Sequence, residues 1–539
     1  MTATGAHAVP RLRGPRVAAA VAAVAVVASL VAWPAAAAAQ TRGGTLKLIY
    51  AEPPHLNTAI TSGTPAGVPG TQIFASLIQQ DERFQPRPYL AERWTISPDG
   101  RTYTFHLVKG ATFHDGKPIT AEDVKFSLEL IKANHPFGVA MHRALESVET
   151  PSPSTVVVRL AHSYPAFLST LSPLLGPILP RHVYGSGEIK SHPANLKPVG
   201  SGPFRFGEWQ RGRYLILERY DGFFRPGRPY LDRVILEFVP DPAARVAALE
   251  TGATHLVPYN YAGLSDARRL GALPHLALIT KGYEAVGSLT WIELNLRKKE
   301  LADGRVRQAL AHAVDRQLVA TDIFLGFGRA ADGPIVAASP FFNPRIRRYE
   351  HSLEKAGRLL DEAGYRKGAD GTRFRLTLDW LPGTAEFRNL AEYVREQGKK
   401  IGVDFALRAS PDFPTWAGRM ASWEYDLSLD IVFNYPDPVI GVERTYISRN
   451  IQKAVWTNTM GYANPKVDEL FAQAERETSP ERRKALYGQI QEVLTAELPL
   501  IWLHESGFVT LAHRDLDGLP ADVWGVLNPY DGVSFKKAR

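Results

Sequence analysis

Residues 426–444, DLSLDIVFNYPDPVIGVER, crowd together the side chains best suited to recognising a small molecule. Leu427, Leu429 and Ile431 alternate as one face of a strand, and Asn434, Tyr435, Pro436, Asp437 and Pro438 then form a polar loop stiffened by its prolines. An amide, a phenol and a carboxylate fixed at a strand end make a preorganised contact point; without a ligand, the same stretch is a connecting turn. Catalytic signatures are scarce. No H-E-x-x-H, G-x-S-x-G or Walker loop occurs. Ser352 and Lys355 fit S-x-x-K, but no S-D-N accompanies them and Ser352 is better placed as a helix cap. Gly326-x-Gly328-x-x-Ala331 follows a helix, not a strand, and reads as a helix-terminating loop. The fifteen histidines are scattered. His114-Asp115 and His504-Glu505 are neighbours that a strand would point to opposite faces, so neither pair makes a metal site. With no cysteine in the chain, disulfides, thiolate metal sites and cysteine nucleophiles are excluded.

The elements that must carry such a loop are legible from periodicity and punctuation. Residues 44–50 read as a short strand, and the Gly, Pro, Thr and Ser crowding positions 61–71 read as a loop. Ser97-Pro98-Asp99-Gly100 is a turn before the alternating Tyr103, Phe105 and Leu107. Thr120 with Asp123 forms a capping box for a helix bearing Val124, Leu128 and Ile131. Strands are expected at 155–160, 214–218, 234–238, 374–378 and 403–407. Helices are expected after Asp303, Ser352 and Thr384, and after the N-cap–proline pairs Asn464-Pro465 and Ser479-Pro480. Alternating strands and helices imply α/β layers with a ligand crevice.

A chain of 539 residues predicts two or more domains, and 45% hydrophobic with 22% charged residues is ordinary for a globular protein. The net charge of +8 falls to about +5 once Arg11, Arg13 and Arg16 are set aside. No basic run interleaves with aromatics, so nucleic acid is a poor partner. Those three arginines precede an apolar stretch over 17–31, then Pro34 and an alanine run ending at Ala39. This is the pattern of a secretory signal peptide over 1–39, cleaved after Ala39. Without a cysteine the mature chain cannot carry a lipid anchor, which points to the periplasm.

Five separated blocks then stand in a telling order: residues 90–132, the turn PVGSGPF at 198–204, LNLRKKELADGRVRQALAHAVDR from Leu294, SLEKAGRLLDEAGY from Ser352, and 467–505. Together they resemble the family 5 solute-binding proteins, the peptide and nickel receptors of bacterial ABC importers, from about Gly43 nearly to the C-terminus. The resemblance implies an α/β, two-lobed clamshell of the second periplasmic-binding type with an extra inserted domain. Lobe one would take 41–80, 198–283 and 511–539, the inserted domain 81–197, and lobe two 284–510. It implies a monomeric carrier, not an enzyme, with no cofactor. A small polar ligand, peptide or peptide-like, would close the lobes and be handed to an inner-membrane permease with ATPase subunits.

Within that resemblance Thr61, Ser62 and Gly63 match a loop lining the cleft in dipeptide receptors. Asn295 falls where the chain would pass into lobe two, and Trp416 is a candidate for the pocket wall. In peptide receptors the polar loop commonly carries W-x-x-D before its Asp-Pro pair, the aspartate holding the peptide's ammonium. Here those positions are Ile431 and Asn434, and a neutral amide cannot offset a buried ammonium charge. Asp430 or Asp437 could substitute. A secreted hydrolase and a chaperone-like periplasmic protein remain the rival classes, separable by ligand-induced stabilisation without turnover.

Overall fold

The structure is a computed structural model that describes residues 42–537; the signal-peptide expectation over 1–39 lies outside the described residues. Three sheets organise the chain. The first has seven strands in the order Leu276–Ile279, Thr510–His513, Leu256–Val257, Thr45–Ile49, Arg233–Glu237, Tyr214–Arg219 and Phe204–Gln210. Thr45–Ile49 is parallel to both of its neighbours, and the other pairings are antiparallel. The second has six strands: Gly328–Ala330, Leu500–Ser506, Ser288–Leu294, Leu427–Phe433, Phe374–Trp380 and Val403–Arg408. A four-stranded antiparallel sheet joins Ala91–Ile96, Thr102–Leu107, Thr155–Leu160 and Leu145–Ser152.

Each sheet has its own apolar core. Leu46, Leu48, Leu215, Leu217, Val234 and Leu236 fill that of the first; Ile292, Leu376, Leu378, Leu427 and Leu429 that of the second. Tyr103, Phe105, Val156 and Val158 pack on Val124 and Leu128 in the third. The chain passes from the first sheet to the second through residues 280–287 and returns through 507–509. Among the described residues no helix is long and apolar enough to cross a membrane.

Local signals largely chose the elements. Thr120 and Asp123 form a reciprocal capping box on Ala121–Asn134. Ser352 caps Leu353–Glu362, and Gly364 follows at φ +89°, the left-handed position glycine favours. One expectation fails: positions 61–71 are not all loop, because Thr64–Ile73 is a helix with Pro65 in its first turn and Pro69 inside it. Packing overrides composition there. A Cβ on Gly67 would stand 2.8 Å from Leu174, and one on Gly70 would stand 2.5 Å from Thr58. The glycines that read as loop formers let the helix approach its neighbours. Gly328, read as part of a loop, opens the short edge strand Gly328–Ala330.

Candidate functional site

The strand Leu427–Phe433 runs antiparallel to Ser288–Leu294 with Phe433 opposite Ser288, so its C-terminal end meets the crossing segment 280–287. Asn434 N–H donates to Gly287 O at 2.9 Å and Tyr435 N–H to Val286 O at 3.4 Å. Gly287 sits at φ +56°, and a Cβ there would lie 3.0 Å from that of Asn434, which favours glycine on both counts. Both ends of the Asn434 amide are engaged: Oδ1 accepts from Val336 N at 2.8 Å and Nδ2 donates to Pro334 O at 3.2 Å. Asp437 caps Pro438–Gly441 through Val439 N and grips the buried Arg483 at 2.6 and 2.8 Å. Its carboxylate is thus already neutralised.

Tyr435, in left-handed conformation at φ +55°, has Ser62 beside its phenol, and burial pushes that phenol up to about 12. Thr61 and Ser62 are half-buried between Thr58–Ile60 and the helix Thr64–Ile73; Gly63 is exposed at that helix's N-cap. From Tyr435 a run of ring contacts links all three sheet regions. Phe137, just beyond the helix Ala121–Asn134, lies 5.3 Å away and Phe433 6.1 Å. Phe433 meets Phe508 of the return crossing at 6.4 Å, and Phe508 meets Tyr259 at 5.1 Å. Phe137, Phe433, Phe508 and Tyr259 are only partly buried, as the walls of a crevice are.

Beside this wall lie two ionisable groups. Arg444 stacks its guanidinium 4.6 Å from the Phe137 ring and donates to Gly441 O and Trp456 O. Burial lowers it to about 10, so it stays protonated at neutral pH. Asp430 is 1% exposed and accepts from Ile431 N–H at 2.6 Å. Burial, and next the charge of Glu293, hold its carboxyl well above the usual range.

Thr61, Ser62, Asn434, Tyr435 and Asp437 therefore gather at one junction. Asn295 does not join them. It follows the far end of Ser288–Leu294, roughly 20 Å away at the rise of an antiparallel strand. Its amide donates to Trp423 O at 3.1 Å and Tyr425 O at 2.8 Å. The passage between sheets lies at 280–287, ahead of Asn295. Trp416 is fully buried, donates to Ser428 Oγ at 3.0 Å, and stands behind Trp456, 6.4 Å between rings. Sequence reasoning missed Arg444, Phe137, Tyr259, Phe433, Trp456 and Phe508. For Arg444 a signal existed: Glu443-Arg444 interrupts an otherwise apolar run from Pro438, and charges inside such a run require buried partners.

This architecture is that of the two-lobed solute receptors. Nickel-binding NikZ of Campylobacter jejuni, solved with Ni(L-His), superimposes with a TM-score of 0.80 at 25% identity, covering 91% of this chain and 99% of that one. AppA of Bacillus subtilis, solved with a nonapeptide, gives 0.78 at 26% identity over 92% of this chain and all of its own. By sequence, the oligopeptide-binding protein AppA of Bacillus subtilis is 28% identical over 83% of each chain. Heme-binding protein A of Haemophilus influenzae is 28% identical over 84% of this chain and 86% of its own. Residues 85–453 match the family model for the middle of the bacterial extracellular solute-binding proteins, family 5, and the chain belongs to that family.

Proposed function

We propose that this chain captures a small polar ligand of the peptide or peptide-like class between its lobes. It then delivers that ligand from the periplasm to an inner-membrane permease driven by ATPase subunits. The observation that carries this reading is the run of partly buried rings at the sheet junction, with polar groups beside it. Further support comes from relatives named for oligopeptides, heme and glutathione. All of these are binding proteins. Lobe one is assigned 41–80, 198–283 and 511–539, the inserted domain 81–197, and lobe two 284–510. Thr61, Ser62, Asn434 and Tyr435 line the cleft in this assignment, while Asp437 supports it from behind.

Ligand touching both lobes favours the closed form by its differential affinity for that form. Micromolar binding corresponds to about −8 kcal/mol and leaves room for release. The test is to denature purified protein, identify what is released by mass spectrometry, and add it back to ligand-free protein. Thermal stabilisation without chemical change of the compound is expected. Turnover of the added compound would favour the hydrolase class instead. N-terminal sequencing of periplasmic material should begin Gln40-Thr41-Arg42; a chain retaining Met1 would overturn the export assignment.

A further inference from the structure

His162 stands just past the strand Thr155–Leu160, in the assigned inserted domain, and the helix Pro465–Arg476 belongs to the assigned lobe two. The two regions meet over an apolar patch and a polar rim. Val439 of lobe two is fully buried in the core of the four-stranded sheet. On the rim, Ser163 Oγ donates to Arg476 O, and Arg143 Nη1 meets one oxygen of Glu475 at 2.8 Å. The other oxygen of Glu475 faces His162 Nε2 at 3.4 Å. His162 Nδ1 lies 2.9 Å from the carbonyl oxygen of Ser163. A carbonyl oxygen only accepts, so Nδ1 carries the hydrogen. In the neutral ring, Nε2 then turns a bare lone pair toward a carboxylate, and the contact repels. A second proton goes onto Nε2, where it points at Glu475 and converts repulsion into a charge-assisted bond. The His162 side chain is 24% exposed, so solvent can supply and remove that proton.

The neighbouring groups leave the switch to this ring. Arg143 and Arg449 pair with Glu443, and Arg482 pairs with Glu477. Asp99 and Arg476 are exposed at the rim. Tyr164, 6.4 Å away between rings, stays neutral because burial pushes its phenol well above the ordinary range. His142, next to Arg143 in sequence, is lowered by burial to about 3 and also stays neutral. We infer that His162 and Glu475 form a proton-operated clasp between the inserted domain and lobe two. Its contribution is present while the imidazole is protonated and is lost as rising pH removes that proton. The consequence for transport rests on the solute-receptor reading: closure holds solute, so capture tightens in acid.

The chain has no cysteine, so Lys109→Cys and Lys484→Cys, both at exposed positions, place one spin label on each side of the contact. In the full mature chain without added solute, the distance between labels should shorten from about pH 8 to about pH 5.5. His162→Gln should keep the longer distance at both values. His162→Lys, with a fixed charge, should keep the shorter one at both, which separates a lost proton from a lost fold. A wild-type distance that ignores pH would overturn the clasp, as would His162→Gln following pH like the wild type. In a second arm, the compound released on denaturing the purified protein is titrated back by calorimetry. Wild type should bind it about 2–5-fold more tightly at the lower pH, the range for a partly exposed ion pair, and His162→Gln should show no such gain. An equal gain in both would overturn the coupling to capture. Labels that respond to pH in a protein that releases and rebinds no compound would support the clasp and remove the receptor reading alone.

Discussion

Asn434 shows how a residue can stand at a ligand loop and still be spent on structure. Both ends of its amide hold the 334–336 segment, so Asn434→Ala leaves the buried Val336 N–H and Pro334 O unpaired. A loss of about 1–3 kcal/mol is expected in urea melts. Asn434→Asp keeps the acceptor for Val336 but sets a carboxylate against the Pro334 carbonyl, so it should also destabilise. A stability equal to wild type in both variants would show that the 334–336 contact is dispensable. Asp430 gives a pH signature. Its folded-state carboxyl is raised, so folded protein holds a proton that the unfolded chain releases, and this group's contribution falls as pH climbs above the ordinary carboxylate range. Asparagine mimics the protonated form and keeps the acceptor for Ile431 N–H. Asp430→Asn should therefore gain stability relative to wild type between about pH 5 and about pH 8, read from denaturant midpoints. A difference that is flat across that range would mean Asp430 titrates normally.

The elements were readable wherever the cause was local. Ser352, Asn464-Pro465 and Ser479-Pro480 open helices because a side-chain acceptor and a preset φ act within one turn. The same signature was present in Asp437-Pro438. What sequence could not supply was Arg483, 46 residues on, which turns a capping aspartate into one half of a buried ion pair. Asp437→Ala should cost about 3–5 kcal/mol in chemical denaturation, because a guanidinium is left buried and uncompensated. Asp437→Ala combined with Arg483→Leu should recover part of that loss. A double variant no better than the single would mean the cap, not the charge, was the larger contribution. The helix Thr64–Ile73 was missed for the converse reason. Its glycines and prolines speak for a loop locally, and only contacts with Leu174, Leu527 and Thr58 reveal why the chain coils there. The candidate site was half legible, since the polar loop is one stretch of sequence. The ring wall is assembled from Phe137, Tyr259 and Phe508, which share no local pattern.

At the scale of the molecule, Arg143 ties two regions together. It leaves the segment carrying the four-stranded sheet to meet Glu443 and Glu475 at 2.8 Å each, with His162 reaching Glu475 from the same side at 3.4 Å. Glu443 adjoins Arg444, so one short helix carries both this tie and the guanidinium stacked on Phe137. Arg143→Gln should widen the ligand-free molecule in small-angle scattering and weaken solute binding about 10-fold without touching the solute. An unchanged radius of gyration and affinity would show the tie to be passive. The seven-stranded sheet has a different kind of consequence. Its strand Thr510–His513 lies between Leu276–Ile279 and Leu256–Val257, and Thr45–Ile49 lies on the far side of Leu256–Val257. The sheet's centre is therefore drawn from both extremities of the described chain. Loop closure over that distance is slow, and a chain emerging from its N-terminus holds an unfinished sheet until nearly its last residues are free. The topology itself acts as a timer: the seven-stranded sheet stays incomplete for almost as long as synthesis continues, while the four-stranded sheet, drawn from residues 91–160, has all its strands early.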